Sequence, residues 1–182
     1  MSKLEFSSSY QEKISDLIIL FRDVFGSSEG EDEGKRIENL VSNLLNGENN
    51  GELFVYSAST NGIILGAIIF SPIKFDQDER SIYMLSPVAV KTTHHNQGIG
   101  QKLISFGLAD LKKHGVDIAM TYGSPDYYSK TGFKQITTDQ AAAPYKLQFP
   151  HGWLAQSLGS NQEILLKGAS RCVAAFDDPK YW

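Results

Sequence analysis

The stretch SPVAVKTTHHNQGIGQKLISF, residues 86–106, decides the fold. A β-rich run ends near Val90, a polar loop follows, and from Gly98 to His114 apolar residues recur with helical periodicity. Backbone N–H groups at a helix N-terminus are unpaired and carry partial positive charge, and glycine lets an anion approach them without a Cβ in the way. We therefore interpret HNQGIGQ, residues 95–101, as a phosphate-binding turn from strand to helix.

Two better-known phosphate loops do not match this stretch. The dinucleotide fingerprint G-x-G-x-x-G requires glycine where Leu103 stands, and the Walker loop requires lysine where Gln101 follows Gly100. A bare G-x-G is a weak signal, and the alternative interpretation is a tight turn without a ligand. The helix that follows carries a stripe of apolar residues and glycines, which predicts close packing against a sheet, and Gly115 is suited to end it.

The segment before this stretch predicts two helices. Ser9 is placed to cap the first helix, with Glu12 at the capping-box spacing, and Gly26 is placed to end it. We interpret the acidic stretch SSEGEDEG, Ser27–Gly34, as a solvated loop, the alternative being a loop that attracts a cationic substrate. A second apolar stripe predicts a helix that ends at Asn46-Gly47.

The remaining segments read mostly as strands. LEFSSS is a short edge strand, and Asn61-Gly62 between two β-rich runs predicts a hairpin. SIYMLSPVAV contains Pro87, which removes a ladder donor and predicts a bulge or a splayed edge. A buried strand is expected at VDIAMTY, a short helix at SPDYYSK, and another strand starting at GFKQI. A last strand is expected at EILLKGASRCVAAF, with a possible break at Gly168. The order β-α-α-β-β-β-α-β-α-β-β predicts a mixed α+β fold with a largely antiparallel central sheet flanked by helices.

The wider pattern around the glycine pair resembles the GNAT superfamily of acetyl-CoA-dependent N-acetyltransferases, whose diphosphate loop reads [QR]-x-x-G-x-[GA] after a V-x-V-like strand end. His95 stands where that family usually has Gln or Arg. The resemblance implies a GNAT-like fold over about residues 3–140 of a single 182-residue domain, with residues 141–182 as a C-terminal extension. It implies acetyl-CoA as cosubstrate. The residues expected to bind it are Val88, Ala89, Val90, His95, Asn96, Gln97, Gly98, Ile99, Gly100 and Gln101.

A second family element is a tyrosine four residues before a Gly-Phe pair. Tyr128 has that spacing from Gly132-Phe133, and GSPDYYSKTGF looks like a little-characterised bacterial branch with the signature G-x-P-x-Y-Y-x-x-x-G-F. The resemblance implies that Tyr128 protonates or hydrogen-bonds the CoA sulfur. The alternative is an aromatic ring packed beside Phe133, and Tyr127 competes for the role, although one residue's shift turns a helical side chain about 100° away.

The implied chemistry is direct transfer of the acetyl group from the thioester to a primary amine of a small molecule, a peptide N-terminus or a lysine. The amine must be neutral to attack, and the general base is left unassigned. Asp117 reads as a solvated strand end and Asp126 as a helix-start carboxylate that favours the dipole. We expect no metal site, because His94 and His95 have no further ligands at suitable spacing, and Cys172 reads as a small hydrophobe.

Composition restricts the partners. Seventeen Lys and Arg against 21 Asp and Glu give a net charge of −4, which is unfavourable for general nucleic-acid binding and compatible with a cationic acceptor. One cysteine and the lack of a signal-peptide or membrane-spanning stretch predict a cytoplasmic protein without a membrane partner. The expected variable substrate loops are Ser27–Gly34, Ile73–Arg80 and Thr137–Gly152, and a homodimer through the C-terminal strands is common in such proteins.

Three functional hypotheses are therefore open. The first is an active N-acetyltransferase, and the second is a CoA-binding sensor or regulatory module without catalysis. The retained Tyr128 favours the first, whereas the lack of a carboxylate on the strand SIYMLSPVAV keeps the second open. The third is an unrelated α+β protein with a tight turn at Gly98, which predicts no CoA binding.

Overall fold

Nine strands and four α-helices are found in residues 2–182, the part of the chain that the computed structural model describes. In chain order they are β1 Glu5–Ser7, α1 Ile14–Glu29, α2 Glu31–Asn46, β2 Phe54–Thr60, β3 Ile63–Pro72, β4 Lys74–Phe75, β5 Ile82–Val90, α3 Ile99–Lys113, β6 Ile118–Tyr122, α4 Pro125–Tyr128, β7 Lys134–Gln135, β8 Trp153–Ser157 and β9 Ser170–Arg171. The chain divides into two compact units. The first joins the segment up to Ile69 to Pro87–Gly107, and the second joins Phe70–Ser86 to Leu108–Trp182.

Seven strands form one sheet in the order β1-β2-β3-β5-β6-β8-β7, and β4 pairs with β9 separately. β5 and β6 are parallel, whereas the pairs β1–β2, β6–β8 and β7–β8 are antiparallel. The prediction of a mixed α+β fold with a largely antiparallel sheet is confirmed. β1 lies at the sheet edge, as LEFSSS predicts, and β8 is an inner strand between β6 and β7.

The acidic stretch Ser27–Gly34 is not a loop, so that prediction is wrong. α1 continues through Gly26 to Glu29, Gly30 turns the chain with a φ of 102°, and α2 begins at Glu31. A Cβ on Gly34 would lie 2.9 Å from the Gly26 Cα, so the two glycines mark a close crossing of the helices. Gly26 therefore serves packing rather than termination, and the acidic residues stabilise the first turn of α2 through its dipole.

The predicted cap at Ser9 is also wrong. A 3₁₀ turn at Gln11–Lys13 precedes α1, and Lys13 occupies the N-cap position without a side-chain hydrogen bond. The Ser9 N–H instead donates to the Ser7 hydroxyl (3.1 Å), while the Tyr10 hydroxyl donates to the Asn50 carbonyl (3.0 Å). The start of this helix is therefore accompanied by a hydrogen bond to a residue 40 positions along the chain, which a local capping rule does not consider.

The hairpin, the second helix and the helix after the loop form as predicted. Asn61 and Gly62 have φ of 51° and 77°, the left-handed values that this turn requires. α3 packs against the sheet within the first unit, where Phe106 stacks on Phe6 with ring centroids 5.2 Å apart. A Cβ on Gly66 of β3 would meet the Ala89 carbonyl oxygen at 3.0 Å and Leu103 at 3.7 Å, so β3 needs glycine at this approach.

The last predicted strand, residues 163–176, is largely absent. Within it only Ser170–Arg171 forms a strand, and Gly168 has a φ of 88°. The Arg80 guanidinium donates to the carbonyls of Glu163 and Leu165, both at 3.0 Å, so a side chain takes up acceptors that a strand would offer to a neighbour. The GFKQI strand is shorter than predicted and covers only Lys134–Gln135.

Candidate functional site

The end of β5 positions the candidate phosphate loop. The parallel register of β5 with β6 ends at Leu85↔Thr121, before Pro87, which matches the expected splayed edge. The Lys91 N–H donates to the Leu65 carbonyl at 2.7 Å, so hydrogen bonding to β3 continues as far as the start of the loop. The predicted residues Val88–Val90 therefore lie on a stretch of β5 beyond its pairing with β6, and Ala89 is buried between its half-buried neighbours.

The loop itself ends in an exposed helix N-terminus. A 3₁₀ turn at Thr92–His94 leads into exposed residues 95–98, and the first hydrogen bond of α3 runs from the Lys102 N–H to the Gly98 carbonyl (3.0 Å). The N–H groups of Ile99, Gly100 and Gln101 precede that bond and have no partner within the helix. The structure thus brings the predicted loop residues together at one helix end, where an anion is favoured.

Gly98 has the open surroundings that a phosphate cradle needs. Its φ is 72°, and no atom lies within 4 Å of the position that a Cβ would take. Asn96 is also left-handed, with a φ of 62°. Glycine at 98 therefore avoids backbone strain and leaves the space in front of the helix end free.

His95 ties the loop to the strand end. Its Nε2 lies 2.7 Å from the Val90 carbonyl oxygen, and because a carbonyl can only accept, Nε2 carries the hydrogen and donates. The sequence indicated His95 as a departure from the family pattern and as one of the residues expected to bind the cosubstrate, not as a partner of Val90. No signal in the sequence specifies this bond, which depends on the loop folding back over five residues.

Tyr128 belongs to the second unit, where its ring is closely packed. α4 begins with Pro125 after Ser124 at the N-cap position, as predicted, although the Ser124 side chain makes no capping bond. The Tyr128 ring meets Phe133 edge-on at 5.8 Å, and a Cβ on Gly123 would lie 2.7 Å from its Cε2. The packed-aromatic interpretation is therefore correct for the ring, and it leaves the hydroxyl to be considered separately.

Thr121 influences the Tyr128 hydroxyl from the place where β5 and β6 part. Thr121 is buried, and its hydroxyl donates to the Leu85 carbonyl at 2.8 Å. Thr121 and Leu85 are the last pair of the parallel register. Burial raises the pKa of Tyr128 well above its usual value, the neighbouring Tyr127 raises it further, and Thr121 opposes this. Tyr128 is therefore a hydrogen-bond donor at neutral pH.

The carboxylates considered as a general base have different surroundings. The Asp117 Oδ2 accepts from the Ser81 N–H at 2.8 Å, so this side chain holds the start of β5 rather than standing free in solvent as predicted. Asp126 is exposed in the first turn of α4. Neither arrangement identifies a base.

Cys172 is the one cysteine of the chain and is half-buried. Burial raises the pKa of Cys172 to about 11, with Asp177 adding to the shift, so its sulfur is a neutral thiol at physiological pH. In residues 2–182, no group of three or more His, Cys, Asp or Glu side chains is arranged to hold a metal ion. In the same residues, no helix is long and apolar enough to cross a membrane.

Known proteins are similar to this chain in sequence and in fold. The family model described as an acetyltransferase (GNAT) domain matches residues 5–136. YjhQ of Escherichia coli K12, named an uncharacterized N-acetyltransferase, is 30% identical over 139 residues, which cover 74% of this chain and 76% of the relative.

Solved structures share the fold. The GNAT N-acetyltransferase YhbS from Escherichia coli, in complex with CoA, superposes with a TM-score of 0.78 at 20% identity and covers 98% of this chain and 94% of its own. A GNAT acetyltransferase from Brucella melitensis, in complex with acetyl-CoA, gives 0.71 at 23% identity, covering 97% of this chain and all of its own.

Proposed function

The chain belongs to the GNAT acetyltransferase family, and we propose that it transfers an acetyl group from acetyl-CoA directly to a primary amine. The observation that carries the proposal is the N-terminus of α3, whose first N–H groups have no partner within the helix. Gly98 leaves the space in front of them free, and this turn follows the part of β5 that no longer pairs with β6. Two solved structures of the same fold contain CoA or acetyl-CoA, which supports this cosubstrate.

The first task of the chain is to bind the cosubstrate. We assign the diphosphate to the loop amides of residues 98–101, where the helix dipole favours negative charge. The main chain of Val88, Ala89 and Val90 is assigned to the pantetheine arm, because β6 does not occupy that part of the strand. His95 supports the loop through Val90 rather than through a direct contact with the ligand.

The transfer itself is an addition and an elimination. The neutral amine nitrogen bonds to the carbonyl carbon of the thioester, the oxygen takes up negative charge, and the C–S bond then breaks to release CoA thiolate. A main-chain N–H of residues 88–90 would stabilise the oxyanion, and Pro87 has no N–H to offer. The proton that the amine loses goes to solvent or to a base not yet identified.

The role of Tyr128 follows from the order of pKa values. A thiol has a pKa of about 8.5 and a tyrosine of about 10, and burial raises the pKa of Tyr128 further. Complete proton transfer from Tyr128 to the thiolate is therefore unfavourable. We assign Tyr128 as a hydrogen-bond donor that stabilises the thiolate while keeping its own proton.

Titration with acetyl-CoA by calorimetry tests the proposal, with Gly98→Trp as the disrupting variant. We expect micromolar binding that Gly98→Trp abolishes, because the side chain would fill the space in front of the α3 N-terminus. Gly115→Trp is the matched control, since Gly115 also has a left-handed φ and open surroundings but lies at the other end of α3. Absence of binding in the unmodified protein would refute both the enzyme and the sensor hypotheses.

Turnover separates the enzyme from the inactive sensor. Release of CoA thiol in the presence of a library of primary amines supports the transferase, whereas tight binding without thiol release from any amine supports the sensor. The family relatives named as N-acetyltransferases favour the first outcome.

A further inference from the structure

A solvent-accessible cavity of about 550 Å³ lies in the first unit, away from any role assigned above. One wall is a face of α1, and the other combines the β2–β3 turn with the residues that follow β5. We call it the α1 groove and define it by Asp16, Ile19, Asp23, Ile63, Lys91 and Thr92. Its volume falls within the range of about 300–1,000 Å³ typical of small-molecule sites.

The groove exposes apolar side chains on both walls. Ile19 on α1 is 45% exposed and Ile63 at the start of β3 is 57% exposed. They are two of the five large apolar side chains that residues 2–182 expose strongly. Exposed apolar groups that meet in one concave place mark binding sites more often than isolated ones do. The groove is therefore suited to an aliphatic body.

The charges that line the groove determine which ligand charge it favours. Asp16 and Asp23 lie on the same face of α1, seven residues and so about 10 Å apart. Asp23 contacts Arg22 at 2.8 Å in an exposed pair of the kind that contributes little. Within residues 2–182 no ion pair or side-chain hydrogen bond engages Asp16. Two carboxylates against the single ammonium of Lys91 make the groove favourable for a cation.

We propose that the α1 groove binds an aliphatic ammonium compound. The ammonium group pairs with one of the two carboxylates, Asp16 or Asp23, while the other adds negative potential. The apolar chain lies between Ile19 and Ile63. Lys91 disfavours the reverse orientation of the ligand, because that orientation would place the ligand's ammonium group beside the ammonium group of Lys91. This binding requires neither acetyl-CoA nor turnover, so the inference goes beyond the proposed function.

Calorimetry with octylammonium chloride as the probe tests the charge requirement. We expect saturable binding that weakens at least tenfold for the uncharged isostere octanol, and at least tenfold in the double variant Asp16→Asn/Asp23→Asn. Asp32→Asn is the matched control, because Asp32 is an exposed aspartate in the first turn of the neighbouring helix α2. Equal affinity for octanol, or equal loss in the control, would overturn the proposal.

A second pair of variants tests the apolar wall. Ile63→Asn is expected to weaken octylammonium binding several-fold, whereas Leu165→Asn, an exposed leucine of the second unit, leaves it unchanged. All of these positions are exposed, so thermal unfolding should show that the fold is retained. Binding that survives Ile63→Asn intact would place the ligand elsewhere.

The Gly98→Trp variant distinguishes this inference from the proposed function. We expect the variant to lose acetyl-CoA and to keep octylammonium. If the unmodified protein binds octylammonium but not acetyl-CoA, the proposed function fails and the groove stands; the reverse result removes the groove alone.

Discussion

At the scale of single residues, two side chains act by holding a backbone carbonyl in place. His95 donates to the Val90 carbonyl and so sets where the loop leaves the strand. Thr121 donates to the Leu85 carbonyl at the last pair of the β5–β6 register. Both bonds end on a backbone carbonyl, and a typical hydrogen bond of this kind is worth about 0.5–1.5 kcal/mol, enough to orient a group but not to create a site.

Tyr128→Phe keeps the packed ring and removes only the hydroxyl. We expect turnover to fall roughly 10- to 100-fold, the worth of a hydrogen bond to a charged group, while the Kd for acetyl-CoA stays unchanged. Tyr127→Phe is the control, because its ring meets Tyr128 edge-on at 5.0 Å and its hydroxyl has no assigned role. Unchanged turnover in Tyr128→Phe would refute the donor role.

The raised pKa of Tyr128 also predicts the shape of the pH profile. The protonated form is the donor, so its contribution is present at low pH and is lost only as pH rises through a pKa above the usual 10.0. The rate should therefore rise with pH as the amine deprotonates and show no decline from Tyr128 below about pH 10. A decline near neutral pH that disappears in Tyr128→Phe would contradict the assignment.

Thr121 holds the last pair of the β5–β6 register, and two variants test its hydroxyl. Thr121→Val leaves the Leu85 carbonyl without its donor, which costs about 1–3 kcal/mol of stability. Thr121→Ser keeps the hydroxyl and should retain most of that stability in urea unfolding. A serine variant as unstable as the valine variant would exclude the hydrogen bond as the cause.

At the scale of elements, the helical pair α1–α2 shows how a short connection works. A single glycine, Gly30, turns the chain, and the helices then approach at Gly26 and Gly34 without side chains between them. The conformation at Gly30 and the contact at Gly34 are separate requirements. One is a backbone angle and the other is a lack of space.

Gly34→Ala tests the helix crossing. The added Cβ would lie 2.9 Å from both the Arg22 carbonyl oxygen and the Gly26 Cα, and overpacking of this kind costs about 1–3 kcal/mol. The better helix propensity of alanine returns up to about 1 kcal/mol, so we expect a net loss in Tm of a few degrees. Gly51→Ala is the control, because no atom lies within 4 Å of its Cβ position. A Tm that rises in Gly34→Ala would show that the helices can separate at no cost.

At the scale of the whole molecule, long-range polar contacts organise the second unit. β4 pairs with β9 almost a hundred residues along the chain, and Arg80 joins Asp78 to the carbonyls of Glu163 and Leu165. These contacts hold the segment before β9 without a strand ladder. An arginine has enough donors in one plane to satisfy a carboxylate and two carbonyls together.

Arg80→Gln should destabilise the protein by about 1–3 kcal/mol, because the Asp78 carboxylate and two carbonyls lose a charged donor. Arg80 holds the pKa of Asp78 below its usual value, so this stabilisation is present above the unfolded pKa of about 3.9 and is lost as pH falls through the folded pKa. The difference in unfolding free energy between the two proteins should therefore shrink below pH 4.

Urea unfolding over a range of pH measures this difference. Arg171→Gln is the control, since Arg171 pairs with Asp76 on the surface with 77% of its side chain exposed, and such pairs contribute little. An Arg80→Gln variant as stable as Arg171→Gln would show that the contact does not hold the segment.

Local patterns predicted much of the fold because the signals were local. The Asn61-Gly62 turn, the apolar stripe of α2 and the helix after Gly98 depend on residues a few positions apart. The predictions at Ser9, Gly26 and Ser27–Gly34 failed where a partner far along the chain or on another helix decided the outcome. A glycine can end a helix or allow two helices to cross closely, and the local sequence does not distinguish these two roles.

For the candidate site, the sequence by itself determined the family, the glycine turn and the position of Tyr128 in a short helix. Each depends on residue types at fixed spacing, which the chain carries before it folds. Only the tertiary structure decided that His95 supports Val90, that Thr121 bonds the Leu85 carbonyl where β5 leaves β6, and that Asp16 and Ile63 share one groove. These pairings join residues whose separation in sequence carries no periodic signal, so they exist only once strands and helices have packed.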